Sequence, residues 1–586
     1  MSADFTPEQK RYLEGFLSGV QATRTVQAIP AQTAAPVPSG PDAAHLAAMA
    51  ATEARGGKLV DQEKWKRDEN PFDAYQRFKG QAEQNEYPKP QDNFRWRYFG
   101  LFYVAPAQNS YMCRLRIPNG ILTHWQFSGM ADVADKLAGG FAHVTTRANL
   151  QIREIEAKNA ANVVEAIQDL GLCSRGSGAD NIRNVTGDAT AGIAAQELLD
   201  TRPFAREWHY HILNDRGLYG LPRKFNVAFD GGGPIPTLEE TNDIGFQAVR
   251  VLDGASVAPG IWFRLVLGGI SGHHDLARDT GVVVAPKDAT RVADAIVRVF
   301  IAHGDRTNRN KARLKYVLDD WGFEKFLKAV ETELGAPLQR VDAAYVAPRP
   351  QQDRLAHVGV HAQAQDGLQY IGVVLPVGRM TSDQMRAMAS IAQTYGDGDI
   401  RLTVWQNLLI SGIPNAKLEA AKAAIEVCGL EWKASSIRAG LVACTGSAGC
   451  KFGASETKGN AEKIAAYCES RVALDVPINI HLTGCHHSCA QHYIGDIGLI
   501  GARVAINDDG DTVDGFDVVV GGGFGSNASI AKEFAKGITA SEAPAYVETL
   551  LKTYLAHRTS VAESFHAFTG RLAPAEIASL MREVMA

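Results

Sequence analysis

Four of the eight cysteines in the chain fall within 46 residues, as two tight pairs, Cys444-Thr-Gly-Ser-Ala-Gly-Cys450 and Cys485-His-His-Ser-Cys489. The spacings are C-x5-C and C-x3-C, and each pair follows a short apolar run ending in a loop. Glycines around the first pair let backbone amides approach sulfur. Four thiolates from two loops suit a tetrahedral zinc ion or a [4Fe–4S] cube. Structural zinc prefers C-x2-C knuckles, so the longer spacings favour the cube, with zinc as the alternative. The remaining cysteines, Cys113, Cys173, Cys428 and Cys468, stand alone and read as inert core thiols. A disulfide framework is not expected in a chain of this length without an export signal.

A second set of residues concerns anions. Arg114 and Arg116 alternate in Cys113-Arg-Leu-Arg-Ile-Pro, on one face of an expected strand. Arg147 follows a Thr-Thr pair, Arg183 lies in Asn-Ile-Arg-Asn, and Arg223 and Lys224 precede Phe225 and Asn226. Arg306, Arg309, Arg313 and Lys315 crowd residues 304–315, and they do not fit one helical face. One reading is a solvated basic surface. The other is a set of carboxylate clamps, which arginine makes bidentately. A small oxyanion needs fewer cations, converging on a dry pocket.

The elements that must position these groups are read from pattern. At 586 residues, with 45% hydrophobic and 21% charged positions, the chain is expected to hold about three or four soluble domains. A formal net charge of -5 gives no global basic field, so nucleic acid is not an expected partner. No apolar run approaches the ~20 residues of a membrane helix. The start, Met-Ser-Ala-Asp-Phe-Thr, lacks the basic and apolar parts of a secretory signal, so a cytoplasmic protein without membrane contact is expected. Residues 5–21 read as an amphipathic helix capped by Thr6, Pro7 and Gln9, with Tyr12, Leu13, Phe16, Leu17 and Val20 as its apolar stripe. That helix would either pack on its own protein or dock a partner. Residues 28–43 form an Ala/Pro linker, and packed structure is expected from about Phe99.

The chain also repeats itself. Ile117-Pro-Asn-Gly120 matches Leu375-Pro-Val-Gly378, and Thr145-Thr-Arg-Ala-Asn-Leu-Gln-Ile152 matches Thr403-Val-Trp-Gln-Asn-Leu-Leu-Ile410, both 258 residues apart. Phe225-Asn-Val-Ala-Phe-Asp-Gly231 matches Ile478-Asn-Ile-His-Leu-Thr-Gly484, and Phe263-Arg-Leu-Val-Leu-Gly-Gly269 matches Phe516-Asp-Val-Val-Val-Gly-Gly522, both 253 apart. Two constant offsets argue for a duplicated pair of α+β modules about a pseudo-two-fold axis, with a site at their junction. The smaller module reads as strand–helix–strand, with its helix near 126–138 and 383–395.

Together these residues resemble the sirohaem and [4Fe–4S] nitrite/sulfite reductase family. The resemblance runs from about 95 to 525 and rests on Ala443-Cys-Thr-Gly446 with Cys450, Thr483-Gly-Cys485 with Ser488-Cys489, Val144-Thr-Thr-Arg147, Pro222-Arg-Lys224, and the duplication. It implies an α+β fold of ferredoxin-like half-domains (97–168 and 346–432) and larger sirohaem/Fe–S domains (169–345 and 433–586), preceded by an extension over 1–96. It implies that Cys444, Cys450, Cys485 and Cys489 hold the cube, with the Cys489 thiolate bridging to the sirohaem iron. Arg114, Arg183, Lys224 and Asn226 map to the anion-binding positions. Arg116, Arg147, Arg223, Arg306, Arg309, Arg313 and Lys315 map near the carboxylates of the macrocycle.

Asn226, where sulfite reductases of the family carry Lys, resembles the ferredoxin–nitrite reductase branch, as does Glu456-Thr-Lys458. The resemblance therefore implies a monomeric enzyme reducing nitrite to ammonia with electrons from ferredoxin. Sulfite reductase is the alternative, and a precorrin-3B synthase-like enzyme or a non-catalytic iron–sulfur protein is more remote. His486 and His487 depart from the Pro-Asn pair common in the family. Gly521-Gly-Gly-Phe-Gly-Ser526 lacks the last glycine of a dinucleotide fingerprint and reads as a turn. Lys451 and Lys458 are candidates for a basic donor-docking patch.

Overall fold

The computed structural model describes residues 39–585, so the helix expected over 5–21 lies outside the described residues. The first module holds β1 (Leu101–Val104), β2 (Ser110–Arg114), β3 (Ile121–Thr123), β4 (Phe141–Thr145) and β5 (Asn149–Ile155). The second holds β6 (Thr186–Gly187), β7 (Val227–Asp230), β8 (Ile244–Val251), β9 (Gly260–Leu267), β10 (Arg278–Val284) and β11 (Gln339–Arg340). The pattern then recurs: β12 (Gly359–Ala362), β13 (Leu368–Val373), β14 (Arg379–Thr381), β15 (Asp399–Leu402) and β16 (Leu408–Pro414), followed by β17 (Leu441–Ala443), β18 (Ile480–Thr483), β19 (Ile497–Ala505), β20 (Thr512–Val520) and β21 (Lys532–Thr539).

The two small modules complete each other. Their sheets run β1-β2-β5-β4-β14 and β12-β13-β16-β15-β3, so each takes its last strand from the other copy. Met380 of β14 pairs with Ala142, and Leu122 of β3 pairs with Ile400, both antiparallel. The exchanged strands lead directly into the helices His124–Leu137 and Ser382–Tyr395. Both helices open with the same reciprocal capping box, Thr123 with Gln126 and Thr381 with Gln384. Leu122, Phe127 and Met130 share one core with Met380, Met385 and Met388. Separating the copies would expose that core and strip a strand from each sheet edge.

The large modules repeat in backbone and in hydrogen bonding. Their sheets run β11-β10-β9-β8-β7-β6 and β17-β18-β19-β20-β21. β7 and β8 are parallel, as are β18 and β19, and the sheets continue antiparallel. The Asn226 amide donates to Asp243 Oδ2 at 2.8 Å, and the Asn479 amide donates to Asp496 Oδ2 at 2.8 Å. A buried aspartate thus fixes the entry to β7 and to β18 alike, holding the loops before and after these strands in register.

Among the described residues, packed structure is already present from Ala43, earlier than the expected Phe99. The helices Ala43–Ala54, Asp61–Asp68, Tyr75–Glu83 and Pro90–Trp96 lie on the body, with Phe78, Phe94 and Trp96 buried. Their charged composition hid this, because several charges are internal. Glu63 is fully buried and accepts from Lys66 Nζ at 2.6 Å and from Arg306 Nη1 at 2.5 Å. Arg306 Nη2 also donates to the Gly220 and Ile301 carbonyls. Arg306 is therefore a tie between the extension and the second module, which corrects its expected place among the macrocycle's clamps. The Glu63→Ala substitution leaves two buried cations without their carboxylate, a loss of about 3–5 kcal/mol. Limited proteolysis is expected to cut within 43–96 at lower denaturant than in the parent, and an unchanged cleavage midpoint would contradict this role.

Candidate functional site

β17 and β18 are parallel neighbours, Val442 opposite His481, so the loops after them emerge side by side. These loops carry Cys444 to Cys450 and Cys485 to Cys489. Their backbones touch at glycine. A Cβ on Gly484 would come 3.0 Å from the Gly446 Cα and 3.2 Å from the Gly453 Cα. Gly446 itself has φ +64°, and a Cβ there would meet the Ser455 carbonyl at 2.7 Å. This closeness lets two amides, those of Gly446 and Gly484, reach the Cys444 sulfur at 3.4 and 3.2 Å. Burial pushes the Cys444 thiol pKa up and takes that of Cys485 to about 11, with neighbouring thiols adding to both shifts. Four cysteines on two touching loops can serve as the ligands of a metal centre.

The small modules anchor both loops. Gln406 Oε1 accepts from the Ala443 amide at 2.9 Å, and its Nε2 donates to the Ala443 carbonyl at 3.0 Å. Arg153 donates to the Gly449 carbonyl at 3.1 Å and to Thr445 Oγ1 at 2.8 Å. Thr146 Oγ1 donates to the Cys489 carbonyl at 2.9 Å. Lys458, expected on a donor-docking surface, is instead 4% exposed and donates to the Val377 and Ala443 carbonyls. It binds β17 to the small-module turn, which corrects that expectation. Lys451 is exposed, over the Phe452 ring.

Facing the 485–489 loop is a group of cations. Arg114 ends β2 and sits over the Phe102 ring, 4.8 Å from its centroid. Arg183 donates to the Ser177 and Ala179 carbonyls at 2.5 and 2.7 Å. Arg147 donates to Asn242 Oδ1 at 2.9 Å and to the Asn184 carbonyl at 2.8 Å. Burial drives the Arg183 pKa well below its usual range and that of Arg147 down to about 9, and neighbouring guanidinium groups add to both shifts. Burial, then the Arg313 guanidinium, lower the Lys224 ammonium to about 7. Arg114 and Lys224 both lie within charge-interaction range of the Cys489 sulfur. Gly272 of the second module packs under the same loop, and a Cβ there would meet the His487 carbonyl at 3.1 Å.

Two aspartates missed in the sequence set the rim of this group. Asp180, fully buried, receives both Nη atoms of Arg309 at 2.8 and 2.7 Å, with Arg223 at 3.8 Å. Asp243 receives Arg313 at 3.2 and 2.6 Å as well as the Asn226 amide. The spacing Asp180-Asn-Ile-Arg183 was the available signal. Residues 304–313 are irregular and helix starts at Leu314, so the basic run is a strap held by acids, not a solvated helix. Lys315 at its end lies between Asp275 and Asp319, 2.7 Å from each.

The remaining polarity is unbalanced. Among the described residues, Arg116 Nε and Nη2, Arg147 Nε, Arg183 Nε and Asn226 Oδ1 are buried without a hydrogen-bond partner. Arg116 spends only its Nη1, on the Ile182 and Gly176 carbonyls. Arg114, Arg147, Arg183 and Lys224 have no carboxylate paired to them in an ion pair among the described residues, while Asp180 and Asp243 are taken by the strap and Arg223. Clustered like charges with unspent N–H groups fit a ligand carrying several carboxylates.

Comparison with known proteins agrees with this geometry. The family described as "Nitrite and sulphite reductase 4Fe-4S domain" matches residues 178–338 and 435–563, and "Nitrite/Sulfite reductase ferredoxin-like half domain" matches 105–170 and 361–428. The chain is 35% identical over 465 residues to a ferredoxin–nitrite reductase of Synechococcus elongatus, covering 78% of this chain and 88% of the relative. It is 36% identical over 469 residues to one of Leptolyngbya laminosa, covering 78% and 89%. The solved structure of the Mycobacterium tuberculosis NirA protein superposes with a TM-score of 0.82 at 29% identity, covering 89% of this chain and 98% of that one.

The glycine contact gives a test that removes no ligand. Gly484→Ala forces the two thiol loops apart at a cost of about 1–3 kcal/mol. Iron bound per chain is expected to fall severalfold although all four cysteines remain, and full iron content in this variant would contradict the packing argument.

Proposed function

The chain belongs to the nitrite and sulphite reductase family, and from that premise we propose that it carries out the six-electron reduction of nitrite to ammonia with ferredoxin as donor. Its cofactor set is sirohaem and a [4Fe–4S] cluster, which together supply stored electrons and an iron with an open position for the anion. Cys444, Cys450, Cys485 and Cys489 would hold the cluster, with Cys489, the thiol nearest the cations, as the bridge to the haem. Arg116 and Arg147, with their free N–H groups, would take the macrocycle's carboxylates, and Arg223, Arg309 and Arg313 would border it.

The observation that carries the substrate reading is the composition of the inner group. Arg114, Arg183 and Lys224 are half-buried cations without carboxylate partners among the described residues, and the fourth position is the neutral Asn226, with an unpartnered amide oxygen. Nitrite carries one negative charge and sulfite two at neutral pH, so a pocket with one fewer cation suits nitrite. The guanidinium groups of Arg114 and Arg183 would hold the anion's oxygens. Lys224 Nζ, lowered to about 7, is the group matched to give up a proton near neutral pH as an N–O bond breaks.

Three features support the rest of the reading. Gly521-Gly-Gly-Phe-Gly-Ser526 forms a turn after β20 whose Phe524 packs on Trp405, which leaves the donor role to another protein. The exposed Phe452 and Lys451 beside the thiol loops offer a place for such a donor. A cytoplasmic site of action would keep the four thiolates reduced for the cluster. Among the described residues no helix is long and apolar enough to cross a membrane.

Steady-state assays with reduced ferredoxin are expected to give a much higher kcat/KM for nitrite than for sulfite. The reverse order would move the enzyme to the sulfite branch on the same scaffold. Asn226→Lys is expected to shift the nitrite-to-sulfite ratio toward sulfite by about tenfold, or ~1.4 kcal/mol. An unchanged ratio would mean that Asn226 does not select the anion.

A further inference from the structure

His487 stands inside the C-x3-C loop, and its ring is held in one orientation. It stacks on His486 at 4.3 Å between centroids and tilts against Phe452 at 5.2 Å. Its carbonyl rests against Gly272 of the second module. In that pose the ring's Nδ1 lies 3.3 Å from the Cys485 sulfur. A metal-bound thiolate accepts hydrogen bonds and donates none. The proton must therefore sit on the imidazole Nδ1, with the N–H directed at sulfur, and the tautomer follows from the contact.

The four ligand sulfurs are served differently. Cys444 is half-buried and takes two backbone amides. Arg153 and Lys458, both buried, lie on the side of Cys444 and Cys450. Cys485 is half-buried, and the surface beside it carries Phe452, 57% exposed, and the exposed His486 and His487. There the His487 main-chain amide and its side chain are the groups facing the sulfur. Hydrogen bonds to a ligand sulfur favour the more negative, reduced state and so raise the reduction potential.

Resting on the family reading above, we propose that His487 is a positioning residue for electron entry. Its Nδ1–H bond orients the Cys485 thiolate and holds the cluster potential up at the edge where a donor protein would meet it. The ring acts through Cys485 and touches neither substrate nor haem.

The test uses the loaded enzyme at fixed pH, with iron content and visible spectrum recorded for every sample, and redox titration of the cluster followed by EPR. His487→Phe keeps the ring contacts with His486 and Phe452 and the main-chain amide, but it removes the N–H. The cluster midpoint is expected to fall by about 59 mV, a tenfold drop in the ratio of reduced to oxidised cluster at a given potential. His487→Asn, whose amide nitrogen can take the place of Nδ1, is expected to restore most of the shift. An unchanged midpoint in His487→Phe, or an equal fall in His487→Asn, would overturn the proposal. A second readout needs no variant: pulsed EPR of the reduced parent enzyme grown with histidine labelled with 15N in the ring alone is expected to show a nitrogen coupling, and its absence would also overturn the proposal. A parent enzyme that holds neither cluster nor haem would instead sink the family reading, and this inference with it.

Discussion

The structure depends on a concentration of positive charge drawn into the protein. Arg116 is buried, and Arg114, Arg147, Arg183 and Lys224 are half-buried, where the first and second modules meet. Among the described residues, Asp180 and Asp243 are the carboxylates close to this group, and both are engaged by the strap over 304–313. Left alone, such a group would repel itself and open to solvent. The fold prevents this by spending guanidinium N–H groups on loop carbonyls, those of Ser177, Ala179, Ile182 and Asn184. Arg114 and Lys224 of this group lie within charge-interaction range of the Cys489 sulfur. A polyanionic cofactor and a small anion restore the balance, and that demand explains why the cations and the cysteines belong to one site.

Duplication supplies the frame in which these opposites meet. The aspartate–asparagine clasp recurs at Asp243/Asn226 and Asp496/Asn479, and the strands after it superimpose in register along the sequence. The chemistry has diverged on that constant frame. At the 253 offset Lys224 corresponds to Pro477, while Cys485 and Cys489 correspond to Gly232 and Pro236. At the 258 offset Arg147 corresponds to Trp405, which fills core space against Phe524. One copy therefore carries cations where the other carries sulfur or bulk. The exchanged strands β3 and β14 lock the small modules together, so the two half-sites keep a fixed separation.

Much of this was legible in the sequence, for physical reasons. Constant offsets of 258 and 253 survive because loop lengths between packed strands are costly to change, and both capping boxes obey the first offset. The thiol pairs were legible because glycines must accompany them where backbones touch, as at Gly446 and Gly484. Burial of charge was not legible. Glu63, Lys66 and Lys458 look like surface residues in a string of letters, yet they are internal and paired over distances such as Glu63 to Arg306. The same blindness placed Arg306 with the macrocycle and Lys458 on a docking face. The roles of Asp180 and Asp243 as counterions emerge only once the strap is seen to fold over them.

The central proposal is that the Cys489 sulfur joins the thiol loops to a cofactor held by the cation group. It is tested most directly by Mössbauer or EPR spectroscopy of the loaded enzyme, comparing the parent with Cys489→Ser. In the parent the haem and cluster irons are expected to be magnetically coupled through one sulfur. The coupling is expected to vanish in the variant, whether or not some haem remains with the cation group. Coupling that persists in Cys489→Ser would contradict the account.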